Sequence, residues 1–355
     1  MSRLILLILC LFYANSAFSI KNLKTDFKSS LKASSRNSLT VKKRVLSLVP
    51  ELKLLYKIDE DLHFKAYVGA NLEAGSNDSL YIDEFAPENE VFIKEGKLKY
   101  SPFQFIALDF GILNQAQYQS PLFLSDIGFA GVQENLYFKF SNFFLKFHFQ
   151  QSIPSNQTLS TRIGEVDEGT PRLYSETVSL GFKTDTTFLS VSYTHFAFNN
   201  LAGSVAYQSR FMGNSVSGTG LEGANFLYSF KGHSSNINFK LKMNIFRLWA
   251  YGQYTHNDEA PTSRSDGYLG GLVIGTTSFQ GLVESYRNET DVVPAYYNSS
   301  FYGHNNYEGR VFGLKIHNLP KLLEFKFRYI QSSLIEDNLY QADFDAYRLD
   351  ITKSF

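Results

Sequence analysis

Cysteine is almost missing from this chain: of 355 residues one is a cysteine, Cys10, in the apolar segment at the N-terminus. A chain cleaved after that segment keeps no thiol, which removes disulfides, thiolate metal ligands and a cysteine nucleophile together. Tryptophan (1), methionine (3) and proline (9) are also scarce. No charge sign is in excess, since 34 Lys and Arg stand against 34 Asp and Glu; nucleic acid is therefore not an expected partner. A mean hydropathy of −0.18 is too polar for a bundle of membrane helices, each needing about 20 apolar residues. What is abundant is rings, 33 Phe and 22 Tyr, in a chain that is 44% hydrophobic and so not composed like a disordered one.

Residues 1–19 read as a secretory signal. Arg3 supplies the positive start, Leu4 to Tyr13 the apolar core, and Ala17-Phe18-Ser19 the small residues before a cut. The apolar core is too short to span about 30 Å of hydrocarbon as a helix. Residues 20–38 read as a basic periplasmic lead-in. From Ile20 to Ile58 ten Lys and Arg face only Asp26 and Glu51, a composition suited to a solvated tail.

From Leu62 the pattern alternates with period two. Leu62, Phe64, Ala66, Val68, Ala70, Leu72 and Ala74 share one face; His63, Lys65, Tyr67, Gly69, Asn71 and Glu73 share the other. Phe143 to Gln150, Asn236 to Ile245 and Leu323 to Tyr329 repeat it. Such lengths suit tilted strands crossing a bilayer. Tight turns, among them Ser101-Pro102, Ser141-Asn142, Asp185-Thr186, Phe246-Arg247 and Asn318-Leu319-Pro320, alternate with long polar loops such as 115–129, 199–233 and 289–305. Fourteen strands follow between residues 62 and 355. Leu52 to Ile58 and Thr40 to Val49 add two more, for sixteen. The expectation is an all-β fold: a closed antiparallel transmembrane β-barrel of 14–16 strands over residues 39–355, with short periplasmic turns and long extracellular loops. Only closure satisfies the edge hydrogen bonds of a sheet in lipid.

The chain ends Tyr347-Arg348-Leu349-Asp350-Ile351-Thr352-Lys353-Ser354-Phe355. A terminal Phe with apolar residues alternating back from it resembles the closing strand of Gram-negative outer-membrane β-barrels of the porin type. The resemblance implies outer-membrane residence among lipid and lipopolysaccharide. It also implies that Tyr347, Leu349, Ile351 and Phe355 form the signal read by the barrel-assembly machinery. Lys353 departs from the pattern, where an apolar residue is usual. The Pro-Glu-Phe-Gly sequence of the inward-folded loop in general trimeric porins is absent, so neither that constriction nor the trimer is carried over. The hairpin from Asn89 to Leu113 is more loosely similar to one in substrate-specific porins.

If the apolar stripe meets lipid, the other stripe encloses water. Inward candidates are His63, Lys65, Glu73, Lys139, Lys146, His148, Lys240, Lys242, Lys315, Glu324, Lys326 and Arg328: eight Lys or Arg against two Glu. The expected function is passive diffusion of small hydrophilic solutes with mild anion preference. A competing reading has several of these lysines snorkelling at the rim. Rings near strand ends (Tyr56, Tyr100, Phe140, Phe143, Phe144, Tyr329, Tyr347) are expected to form interfacial girdles.

Enzymatic signals are few. Neither H-E-x-x-H nor a Cys/His cluster occurs among the seven His, so no metal and no cofactor is expected. His233-Ser234-Ser235-Asn236 is similar to the His-x-Ser element of outer-membrane phospholipases and lipid A deacylases. A spacing of two puts the His233 base and the Ser235 nucleophile on one side of a strand, but no third, orienting residue is identifiable. A further alternative is a non-conducting structural or adhesive barrel, with loop 199–233 as lid or lumen plug.

Overall fold

The computed structural model describes residues 22–81, 89–154, 169–318 and 322–355. The proposed signal segment lies outside the described residues, as do most of loop 152–171 and of the turn at Asn318-Leu319-Pro320. Sixteen antiparallel strands close on themselves. In chain order they are β1 (Leu23–Ser38), β2 (Val41–Lys57), β3 (Leu62–Ser79), β4 (Asn89–Phe103), β5 (Ile106–Asn114), β6 (Gly128–Phe140), β7 (Phe143–Ile153), β8 (Arg172–Lys183) and β9 (Thr187–Asn199), then, after a loop hairpin, β12 (Phe230–Met243), β13 (Phe246–Asn257), β14 (Asp266–Thr276), β15 (Phe279–Asn288), β16 (Tyr307–Asn318), β17 (Leu323–Leu334) and β18 (Phe344–Ser354). The hairpin pairs β10 (Val216–Ser217) with β11 (Asn225–Phe226), and one nine-residue helix, α1 (Gly203–Phe211), precedes it. Among the described residues no helix is long and apolar enough to cross a membrane.

The expected count of sixteen holds, but two strands differ from their assignment. Thr40–Val49 and Leu52–Ile58 are halves of one 17-residue strand, β2. The missing sixteenth is β1, inside the segment read as a lead-in. Residues 20–38 are thus not a free tail: Leu23–Ser38 pairs along its length with β2 and with the final strand, and the barrel begins at residue 23 rather than 39. Its alternation is hard to see because the outward positions are sparsely apolar (Phe27, Leu31 and Ala33 among Thr25, Ser29, Ser35 and Asn37). Two sheet neighbours satisfy its backbone whatever its side chains are.

The turns at one rim are short. Ser141 and Asn244 take left-handed φ of 53° and 52°, a conformation suited to tight hairpins. The second of these moves the expected Phe246-Arg247 turn to Asn244-Ile245, so Phe246 starts β13. Ser101-Pro102 likewise belongs to β4, and the chain turns at Gln104-Phe105. At the opposite rim long loops join β5 to β6, β9 to β12 and β15 to β16.

The outer wall is apolar. Phe143, Val191, Ile237, Leu272, Ile274, Phe312, Leu314 and Ile316 all project exposed from it, a continuous surface far larger than a soluble monomer leaves uncovered. The inner stripe is polar near the short turns and carries rings near the long loops. There Phe129, Leu173, Phe196, Phe198 and Phe230 pack against Tyr118, Phe123, Val205, Val293 and Tyr297, which the three long loops bring into the lumen.

Candidate pore and its constriction

Loop 115–127 leaves β5 and crosses the lumen. Its Tyr118 hydroxyl bonds Ser175 on β8, and Asn236 on β12 donates to the Tyr118 carbonyl at 3.3 Å. Asn238 donates to Gln119 at 3.2 Å, and Phe123 packs on Phe196 at 4.6 Å between ring centroids. Burial pushes the Tyr118 phenol up, so it stays neutral. A constriction therefore exists without the Pro-Glu-Phe-Gly sequence; buried amides and rings hold the loop instead.

Loops 200–229 and 289–306 complete a plug above it. Asn214 donates to the carbonyls of Thr290 (2.8 Å) and Val293 (3.0 Å) and accepts from the Ala295 amide (2.7 Å). Asn305 donates to the same two carbonyls at 2.9 and 2.8 Å. Asp291 receives the Ser215 amide at 2.8 Å and its hydroxyl at 2.7 Å. Burial raises the Asp291 carboxyl, partly offset by these donors and by Arg264. On the barrel wall the Arg328 guanidinium lies 3.9 Å above the Phe301 ring, and Tyr302 bonds Glu284 at 3.3 Å.

Two spaces remain. One, of about 920 Å³, lies below loop 115–127 toward the short-turn rim, against β3–β9 and β12. The other, of about 580 Å³, lies beside the plug, between its Asp126–Gly128 and Ser300-Phe301 edges and strands β1–β4, β17 and β18.

The structure distributes the sequence-derived candidates as follows. Lys65, Lys146 and His148 line the larger space, and Glu73 the smaller. Lys240 and Lys242 line a third hollow of about 320 Å³ at the short-turn rim, where the Lys240 ammonium sits 4.8 Å over Trp249. Lys315 and His317 pair with Glu324 at 3.0 and 3.4 Å. Lys326 and Arg328 join a cross-strand cluster that contains Lys32, Arg348 and Asp350. Asp350 accepts from Arg328 at 3.3 Å and from Arg348 at 2.9 Å. His63 and Lys139 continue the inward parity near the short-turn rim, His63 facing Lys57 and Lys99 across the strands.

The chain was compared with known proteins. No family model matches it, and no curated protein sequence does. Solved structures do. OprB from Pseudomonas putida superposes with a TM-score of 0.56 at 10% identity, over 94% of this chain and 93% of that one. OmpF from Salmonella typhi, solved with daunomycin, gives 0.55 at 11%, over 94% and 98%. OccK5 (OpdH) from Pseudomonas aeruginosa gives 0.50 at 11%, over 95% and 98%. This chain has the porin-type barrel fold.

Several residues of the porin-type lumen escaped the sequence reading. Lys32 was hidden in the unrecognised β1. Lys97, which bridges Glu95 and Asp109 at 2.9 Å each, was hidden by the register shift between β3 and β4, which breaks alternation near Glu95. Asp109, Glu284 and Asp350 bring acid into the lumen that the basic candidates alone did not suggest; their alternation with the outward apolar residues of their own strands was the available signal. Phe144 corrects a girdle assignment. It is buried and points inward, in space left by Gly181, where a Cβ would lie 2.1 Å from the ring. Tyr56, Tyr100, Phe140, Phe143 and Tyr347 are exposed on the outer wall, as girdle residues are.

His233 and Ser235 lie on the outer wall of the porin-type barrel. His233 stacks on Tyr193 at 5.7 Å and 22°, and its Nδ1 lies 3.8 Å from Asp258. Ser235 sits between Tyr193 and Tyr254 on the flanking strands. Among the described residues the two share no hydrogen bond.

Proposed function

We propose that this chain is an outer-membrane channel of a Gram-negative bacterium, passing small hydrophilic solutes by diffusion with mild anion preference. The observation that carries the reading is the radial asymmetry of the wall: exposed aliphatic and aromatic side chains outside, and open spaces inside bordered by lysine and arginine. An apolar exterior of this extent needs acyl chains around it. An interior with more cations than anions raises the local anion concentration. The short-turn rim faces the periplasm and the plugged rim the exterior. Enzymatic action is not part of the proposal, because a nucleophilic serine needs a base within hydrogen-bond reach and among the described residues Ser235 bonds none.

Planar-bilayer recording on refolded mature protein tests this. Discrete conductance steps and a reversal potential displaced toward anions in a salt gradient are expected; cation preference overturns the selectivity.

One observation favours a second reading. The three long loops build a plug with its own buried core, as a non-conducting structural or adhesive barrel would. A bilayer that stays silent under all potentials selects that reading.

A further inference from the structure

We propose that the space of about 920 Å³ beneath loop 115–127 is a binding site for hydroxylated organic anions of sugar-phosphate type, an inference that deepens the channel reading and rests on it. Two walls of opposite chemistry carry it. Lys65 and Lys99 stand on one side, and Lys146 on β7 lies opposite Ser179 of β8, beside the second wall; among the described residues none of the three reaches a carboxylate within ion-pair distance. Lys97, beside Lys65 and Lys99, is different, being held by Glu95 and Asp109 at 2.9 Å. Lys146 is fixed in direction, its ammonium 5.1 Å from the Phe144 ring and 5.4 Å from that of Tyr137. Three ammonium groups without an ion pair, against the Asp61 carboxylate and the Lys97-paired Asp109 on the same lining, leave the cavity cationic and favour an anion there, most of all a multiply charged one.

The other wall is a ladder of hydroxyls. Thr177 and Ser179 on β8 lie opposite Thr194 and Ser192 on β9, and Ser190 continues the row. The threonine pair bonds internally at 2.9 Å. Among the described residues Ser179, Ser190 and Ser192 have no side-chain partner, and each offers one donor and two acceptor sites. A bare inorganic anion engages the first wall and leaves this one to water. A neutral sugar engages the hydroxyls and leaves three cations unanswered. A solute with an anionic end and several hydroxyls answers both, and the volume falls in the usual range for a small-molecule site, about 300–1,000 Å³.

Loop 115–127 forms the ceiling through Gln117, Tyr118 and Gln119. A solute entering from the short-turn rim is therefore held beneath loop 115–127.

Equilibrium titration of the refolded full-length barrel in detergent, with glucose 6-phosphate, glucose and inorganic phosphate as probes, tests the inference. Glucose 6-phosphate is expected to bind more tightly than either of the others. Lys65→Gln with Lys146→Gln should weaken it about tenfold or more, the scale of losing charge-assisted hydrogen bonds. Ser190→Ala with Ser192→Ala should weaken glucose 6-phosphate and leave inorganic phosphate unchanged. Inorganic phosphate binding as tightly as the sugar phosphate, or indifference to both variant pairs in protein that still shows the folded, heat-modifiable gel band, overturns the proposal. Bilayer recording separates the two levels. A barrel that conducts salt but neither binds nor is blocked by glucose 6-phosphate keeps its channel role and loses this site. A silent barrel that binds it keeps the site and loses the channel.

Discussion

The amide of Phe355, the last residue, donates to the carbonyl of Phe27 at 3.0 Å, and the two rings lie 5.4 Å apart. The end of the chain is thus fastened to its first strand, and β1 and β18 run in register from Lys28 and Ser354 to Ser38 and Phe344. Tyr347, Leu349, Ile351 and Phe355 share the outward stripe of that closing strand. Lys353 also faces outward, but its ammonium lies 4.7 Å over the Phe355 ring at the rim, so the charge need not enter hydrocarbon. Phe355→Ala should therefore cost the refolded barrel little, about 0.5–1.5 kcal/mol for the lost ring pair. If this strand is the assembly signal, the variant should lose far more in cells. Comparing heat-modifiable gel mobility after refolding with the amount inserted in vivo separates the effects. Equal small losses count against the signal.

Strand existence was legible wherever an apolar outward stripe met a polar inward one. From β3 onward every expected strand is present, usually within a few residues of its expected ends. Legibility failed for β1, where Thr25, Ser29, Ser35 and Asn37 occupy outward positions, so no hydrophobic period betrays a strand whose hydrogen bonds come from its neighbours. It failed at Glu95 because a register shift inverts the parity on which inside and outside are read. The lumen lysines were legible for the same reason as the strands, by alternation alone. The acids inside the barrel were not, since pairing of Asp350 with Arg328 depends on the register between β17 and β18, which no local pattern encodes. The loop plug was legible only as length and glycine content. Its cohesion comes in part from Asn214 meeting backbone groups 76 to 81 positions away.

Among the described residues the Ser235 hydroxyl bonds no base, so Ser235→Ala should leave phospholipid and lipid A composition unchanged in cells producing the protein. Lipid extraction followed by mass spectrometry checks this. Any deacylated product that appears with the parent and disappears with the variant reinstates the hydrolase alternative.

Asn214→Ala should loosen the plug without weakening the barrel. Asn305 still serves the Thr290 and Val293 carbonyls, so the orphaned group is the Ala295 amide, a loss of about 1–3 kcal/mol for a buried unsatisfied donor. No barrel strand takes part. The expected outcome is noisier single-channel current, or opening of an otherwise silent barrel, with an unchanged thermal midpoint. A lowered midpoint with quiet current contradicts the assignment.

Reversing charge in the lumen should move selectivity in a graded way. Lys32 and Lys326 flank Asp350 on neighbouring strands, and among the described residues neither makes an ion pair of its own. Lys32→Glu with Lys326→Glu replaces two cations by two anions beside the smaller space. The reversal potential in a potassium chloride gradient should shift toward cations, more at low salt than at high, because screening shortens from about 30 Å at 0.01 M to about 3 Å at 1 M. An unchanged reversal potential removes this cluster from the path.

Asp291 gives the plug a pH dependence of calculable sign. Its carboxyl is raised by burial, the largest influence, against the lowering effect of Ser215, Asn214 and Arg264. A carboxyl raised in the folded state favours the native plug most fully below its unfolded value. That contribution is lost as pH rises through the raised value. The plug should therefore be tightest in acid and loosen toward neutrality, with current growing in the same direction. Asp291→Asn removes the titration while keeping an acceptor for the Ser215 amide, so the variant should stay acid-like across the carboxylate range. Single-channel current recorded from acid to neutral pH for both proteins checks it. A parent whose current falls on neutralisation, or a variant that keeps the parent's full pH response, excludes Asp291 as the titrating group.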